Sequence, residues 1–440
     1  MAITIEQQPE LFSLTRQDLI YLVTSTEYAQ PGFKIFVEVR GGAGTTTLGS
    51  MFYDVNPVNA VVVNIKEFVQ GNTLGVVVGG VHALSGTNIG GDDGSDEEVE
   101  VEFTEYWLVA GVLTENAGSG VTSDFVIVPP GYYDPKYGFS PDPEGTNTDV
   151  AFTLNGATKR AMSDRKWNTH KWQWAETFGL SFTTASIYIP VRELDYGVLK
   201  FPTQNTYLTN NVVDKIRVTI YDSSGAPHAF TESIAWTGTP TGYAYVYPAN
   251  LNASTTVGLF KPSDYPSWRF YTVQFLTSAN AICAATYVFY NSDLWGQKDC
   301  KYDVVRIAFG NSRGGWDYFN FIKKNEESIS IERSRYYRVR GNYGSAAASP
   351  AFTYGAYEAG LTERPNIVQQ YLQITSDWIQ EEEFVFLRSL LASNQVHWVQ
   401  DDGTFIPVVI EATDYVMKRE RNGKLKNLEL KLRLANNLIP

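Results

Sequence analysis

Three kinds of side chain in this 440-residue chain have types and spacings that could do chemistry. Gly310-Asn311-Ser312-Arg313-Gly314 matches the G-x-S-x-G pattern, in which a serine on a sharp strand-to-helix turn becomes a nucleophile. Here the residues after the turn, Trp316-Asp317-Tyr318-Phe319-Asn320-Phe321, alternate as a second strand, so the serine has no helix dipole behind it. His397 is the one histidine downstream, and it too falls in a predicted strand, beside Val396 and Trp398. The four histidines (His82, His170, His228 and His397) never stand two or four apart, and no Gly-rich segment ends in the GK[ST] of a phosphate loop. The residue types therefore indicate no catalytic centre, no cofactor and no histidine-based metal site. A pair of glycosidase carboxylates is a matter of three-dimensional separation, and 48 acidic residues neither support nor exclude one.

The other two kinds are acidic and aromatic. Asp92, Asp93, Asp96, Glu97 and Glu98 follow Gly90-Gly91 and read either as a calcium loop or as a solvated hairpin tip. The spacing lacks the every-second-residue ligands and central glycine of an EF-hand, which favours the tip. Trp167, Trp172 and Trp174 stand beside Lys166, His170 and Lys171, either as a platform for sugar rings or as core or interface packing. Tyr132, Tyr133, Tyr137 and Phe139 are interleaved with Pro129, Pro130, Pro135, Pro141 and Pro143. Rings in so irregular a segment suit one that lies on a neighbouring subunit, where aromatics anchor interfaces, or one that covers its own domain. Cys283 and Cys300 are too few for a disulfide scaffold or a zinc site, and nothing indicates an oxidising compartment in which they would pair.

Sheets are the elements predicted to position these residues. Aromatics make up 14% of the chain, and with abundant Val, Thr and Gly this favours an all-β class. A chain of this length predicts about three domains. Residues 1–115 carry strands at Ile3–Ile5, Leu19–Ser25, Phe33–Val39, Ser50–Tyr53, Ala60–Ile65 and Val99–Leu113, a β-sandwich with the acidic Gly-rich insertion at 80–98. Residues 116–165 are a Pro/Tyr-rich extended connection, and 166–300 a second β-sandwich. Residues 301–440 form a small α+β domain whose strands enclose one helix, 376–393. That helix has Ser376-Asp377 as candidate caps, Glu381, Glu382 and Glu383 near its positive end, and Phe384, Leu387 and Leu391 as its apolar face. The predicted architecture is thus tandem antiparallel β-sandwiches followed by a helix-bearing β domain.

Net charge is −13, and residues 300–440 are near balance with 18 Lys+Arg against 17 Asp+Glu. Nucleic-acid binding needs a basic footprint and is not expected. No apolar run reaches the roughly 20 residues of a membrane span, and the N-terminus lacks a signal-peptide pattern, so assembly in a cytoplasm is expected.

Several blocks carry a resemblance. They are ITIEQQPELFSLTRQDLIYLVTS, FKIFVEVR, VVRIAFGNSRGGWDYFNF after Cys300, ERSRYYRVRGNYG, SDWIQEEEFVFLRSLLASNQVHWV, FIPVVI and KLKNLELKLRLANN. In this order they resemble a group of structural proteins from phages and prophages of the Bacteroidetes. The middle third is poorly covered, and the insertion at 80–98 and the segment at 129–145 depart from the pattern. The resemblance implies a non-enzymatic virion protein of the tail or baseplate, made in the bacterial host cytoplasm. Its implied partners are copies of itself in a ring and other virion proteins. A phage surface protein that binds a host glycan through Trp167–Trp174 is the alternative.

Overall fold

The computed structural model describes residues 3–9, 13–16, 18–42, 44–73, 89–91, 97–128, 186–202, 214–222, 224–233, 241–255, 261–266, 268–282, 286–295, 301–311, 314–337, 342–344, 351–353, 360–364, 367–379, 381–411 and 427–435. The protein is mainly β: of the described residues 56% are in strands and 9% in helices.

Near the N-terminus two sheets share one core. Ile20–Ser25 lies between Ile3–Gln7 and Ala60–Asn64 in the first. The second runs Val126–Val128, Glu97–Val109, Lys34–Gly41, Thr46–Asp54, with Val112–Glu115 and Val121–Thr122 also paired to Glu97–Val109. Strict alternation along Lys34–Gly41 turns Ile35, Val37 and Val39 inward against Tyr21, Val23 and Val63. Between the sheets, fully buried Glu105 receives the Ser25 hydroxyl at 2.5 Å and the Asn116 amide at 2.7 Å, so the buried carboxylate is hydrogen-bonded. The strand predicted over Val99–Leu113 is two strands: Ala110 and Gly111, both at positive φ, make a two-residue hairpin between Val109 and Val112. The run is apolar on both sides of the turn, so hydropathy alone concealed it. A helix at Lys66–Thr73 was also hidden, being eight residues long and interrupted by Gly71. The Asn64 side chain accepts the Lys66 N–H at its start, and Val69 is buried on its inner face.

The middle sheet runs Ser186–Val191, Thr286–Asn291, Phe270–Leu276, Lys215–Tyr221, Pro227–Ser233. Its first pair is parallel, a departure from the otherwise antiparallel pattern. Side-chain chemistry builds the turn at 222–225: the Asp222 carboxylate accepts the Ser224 hydroxyl and the Ser224 and Ala226 N–H groups, and Gly225 adopts positive φ. Those bonds, the Ser224 hydroxyl first, hold Asp222 well below the usual carboxylate range. A second sheet on the same core orders Leu199–Pro202, Thr241–Ala244, Ile89–Gly91. The segment just before the acidic run, expected to rise into a hairpin tip, thus pairs with a strand about 150 residues away, with Gly91 opposite Gly242.

Toward the C-terminus, one seven-stranded antiparallel sheet orders Trp316–Phe321, Val305–Gly310, Val396–Val399, Phe405–Ile410, Glu429–Leu434, Ile367–Thr375, Asn325–Glu332. A helix, Glu381–Ala392, packs on one face. It starts later than the caps predicted. Buried Ser376 instead exchanges bonds with Leu428, its hydroxyl accepting that N–H at 2.7 Å, and Asp377 accepts the Trp378 N–H. Its described buried face is Phe386, Leu387 and Leu390; Leu387 is buried as expected, Leu391 packs half-buried at the margin, and the Phe384 side chain lies outside the described residues.

The opposite face of this sheet closes the middle core. Ala308, Trp316, Tyr318 and Val399 belong to it, while the alternate residues Ile307 and Phe309 face the helix. At this junction Asp195, fully buried, is gripped by two arginines. Arg306 Nη1 donates to it at 3.0 Å and Arg192 Nε at 3.0 Å, and Asn320 Nδ2 adds a bond at 2.6 Å. The Arg306 guanidinium also donates to the Tyr196 carbonyl and lies over both the Tyr247 and Tyr318 rings, 5.0 and 4.7 Å from their centroids. Burial raises the Tyr318 phenol well above its ordinary pKa, and its oxygen accepts the Val198 N–H. Gly197 is required here, because a Cβ would meet the Tyr247 ring at 2.8 Å.

Candidate functional site

The Gly310–Gly314 motif sits in a strand–turn–strand, as its flanking residues predicted. Gly310 pairs with Trp316, Asn311 accepts the Gly315 N–H through its side chain, and Gly314 takes positive φ. Ser312 lies outside the described residues, as do His82, His170, Cys283, Cys300, Asp92, Asp93 and Asp96. Tyr132, Tyr133, Tyr137, Phe139, Trp167, Trp172 and Trp174, the residues singled out for an interface or a glycan, lie outside them too. Of the acidic run, Glu97 accepts the Gly42 N–H at 2.8 Å. His228 stacks on Tyr265 at 4.3 Å and approaches Asp222, and burial lowers the pKa of His397, which packs beside Trp316. Among the described residues, no three His, Cys, Asp or Glu side chains are grouped to hold a metal ion.

What the fold does present is a long β-arm. From the last strand of the seven-stranded sheet the chain runs outward as Asn325–Glu332, Arg335–Tyr337 and Asn342–Gly344, and returns as Ala351–Thr353, Leu361–Glu363 and Ile367–Thr375. Three successive antiparallel ladders join the two limbs: Glu332 opposite Ile367, Arg335 opposite Glu363, Gly344 opposite Ala351. Glu429–Leu434 supports the returning limb only from Tyr371 to Thr375, so beyond Tyr371 the arm is two-stranded. Every described residue from Glu326 to Tyr337 is exposed or nearly so, including Ile329 at 60% and Tyr337 at 85%. Ile331, Tyr336, Leu361 and Ile367 are exposed alongside them. Isolated two-stranded ribbons are marginal in water, and their free N–H and C=O edges invite pairing. Arg333 and Arg335 share one acid, Glu363, at 3.8 and 3.1 Å, and Arg364 lies over the Tyr336 ring at 5.7 Å. The arm therefore combines exposed apolar side chains with charges of both signs, Glu326, Glu327, Glu332 and Glu363 against Arg333, Arg335 and Arg364 among the described residues.

Sequence reading missed these residues. The signal was present as period-two alternation in Ile329/Ile331 and again in Leu372/Ile374. Their pairing spans 37 to 49 residues, from Ile331 opposite Val368 to Asn325 opposite Ile374, far outside the short turns by which hairpins are recognised.

A second exposed surface lies on the outer face of the N-terminal sheet. Phe36, Phe52 and Tyr106 form a triangle of rings 4.9, 5.1 and 5.8 Å apart, with Leu108 and Leu113 exposed alongside. Acids rim it. Asp54 pairs with Lys34 at 2.6 Å, Glu115 accepts the Tyr106 hydroxyl at 3.2 Å, and Arg40 is held by Glu38 and Glu102. Thr46–Asp54, carrying Phe52, ends the sheet with one edge unpaired among the described strands. Residues 1–128 hold 17 Asp+Glu and only 4 Lys+Arg, so the whole net charge of −13 resides in them.

Comparison with protein-family models and with curated proteins finds no match to the chain.

Proposed function

We propose that this chain is a non-enzymatic structural protein of a phage virion, a homo-oligomeric tail or baseplate component that joins its neighbours through exposed elements of its C-terminal region. The β-arm carries this reading: an element with apolar side chains in water and two open edges becomes stable when a partner covers it. Three packed cores, two of them joined by a buried arginine–aspartate junction, suit a load-bearing part. The resemblance of the sequence blocks to structural proteins of Bacteroidetes phages supplies the virion context. Mass spectrometry of purified particles of the encoding phage tests the reading: the chain is expected among the stoichiometric components, and its absence removes the proposal.

A further inference from the structure

We infer that the seam between the C-terminal sheet and the middle core is an acid-sensitive joint, closed near neutral pH and loosened when His397 takes up a proton. This goes beyond the assembly reading above and holds whether or not that reading stands.

The sheet register places the imidazole in that seam. Tyr318 stands opposite Ala308, Ala308 opposite His397 and His397 opposite Pro407, so the four share one row on one face. Ala308 and Tyr318 belong to the middle core, as does Trp316, whose ring lies 5.5 Å from His397. The Phe405 ring, also packed on that core, lies 6.4 Å away, and His397 is only 6% exposed. A cation here loses most of its water, and burial accordingly holds the His397 pKa below the ordinary histidine value. The surrounding charges oppose protonation too. In the next row Arg306, opposite Val399 and Asn320, reaches into the middle core as a permanent cation. Asp195, on the middle-core side, is engaged by Arg306, Arg192 and Asn320. At the hairpin tip Asp401 is held by Arg192, and Asp402 accepts the Thr404 N–H. Asp317, opposite Phe309, faces the helix side and accepts from Asn311. The remaining titratable groups of the seam are phenols: Tyr196, Tyr247 and Tyr318, the last pushed well above its ordinary pKa by burial. Among the described residues, the carboxylates at the seam are thus taken up by other partners, and an imidazolium would add a second positive charge beside Arg306. The closed joint therefore favours neutral His397, whereas opening returns the ring toward its ordinary value of about 6.5. Below that pH the open form binds the proton first, so opening gains about tenfold per pH unit until the closed form is protonated as well.

The test is hydrogen exchange on the full-length chain at about pH 7.5 and about pH 5.5, corrected for the intrinsic pH dependence of exchange, with an NMR titration of the His397 ring alongside. The ring signal is assigned as the one missing from His397→Gln. In the wild type, amides of Val305–Gly310 and Val396–Val399 are expected to lose protection roughly tenfold at the lower pH, while Lys34–Gly41 in the N-terminal sheet keeps its protection. His397→Gln, which cannot take the proton, and His397→Phe, which fills the site with an apolar ring, are each expected to abolish that acid-dependent loss. Should neither variant fold, the wild-type titration still decides, with a midpoint expected below about 6.5. A midpoint at or above that value overturns the inference. So does unchanged protection at the seam, an equal loss across Lys34–Gly41, or an acid-dependent loss that persists in the variants. None of these outcomes bears on whether the chain is found in virions, which the particle analysis decides separately.

Discussion

Asp195 shows what a single buried charge does in this molecule. It sits at a junction of two cores, and its oxygens receive Arg306, Arg192 and Asn320 at once. Removing one partner of a buried ionic group strands the other charges in a poorly polar medium. Asp195→Ala is therefore expected to destabilise the fold by about 3–5 kcal/mol. Asp401, which binds the outer side of Arg192 at 2.9 Å and is half exposed, is a built-in control. Asp401→Ala is expected to cost about 1 kcal/mol or less. Urea unfolding of the two variants checks the contrast, and equal losses would mean that the junction is not the site of strain. Nothing around Arg192, Asp195 and Arg306 in the sequence marks them as partners, because the Asp195–Arg306 bond spans 111 residues.

Among the elements, the helix at Glu381–Ala392 was legible, and so was the inward side of Leu387. Its three glutamates stand in the first turn, where the dipole favours them, and its apolar spacing is helical. Leu387 lies on the buried face as its spacing indicated, with Phe386 and Leu390 buried beside it and Leu391 at the margin. Leu387→Ala is expected to cost about 2–5 kcal/mol, and Leu391→Ala less, since Leu391 lies at the half-buried margin. Thermal unfolding of both variants reads this directly; a larger loss at Leu391 would contradict the packing. In the final strand, Leu430 and Leu432 alternate with Glu429 and Lys431, with Leu428 buried just before them. That strand is internal to the sheet, between Phe405–Ile410 and Ile367–Thr375, which its own residues do not specify.

For the whole molecule, charge and shape are divided between regions. The N-terminal sandwich holds the net negative charge, the middle and C-terminal cores are locked through Arg306, and the arm extends from the far edge of the last sheet. Because the arm beyond Tyr371 contributes little to any core, replacing residues 333–364 by a tight turn is expected to leave the unfolding midpoint nearly unchanged while self-association is lost. A large drop in the midpoint would show that the arm is part of the fold rather than a docking element. Exposed two-stranded structure of this kind is costly for a monomer to keep, which is why its persistence points outward to a partner.

Local patterns of side chains were enough to determine the β class, most strand positions, the Asp222 turn and the strand–turn–strand at Gly310–Gly314, because alternation and turn chemistry act over a few residues. Only the tertiary structure decided that Ile89–Gly91 joins Thr241–Ala244, that Ser186–Val191 runs parallel to its neighbour, and that Asn325–Glu332 pairs with Ile367–Thr375. Those outcomes depend on which distant segments bury each other's faces, and a strand's own residues specify a face but not the strand beside it.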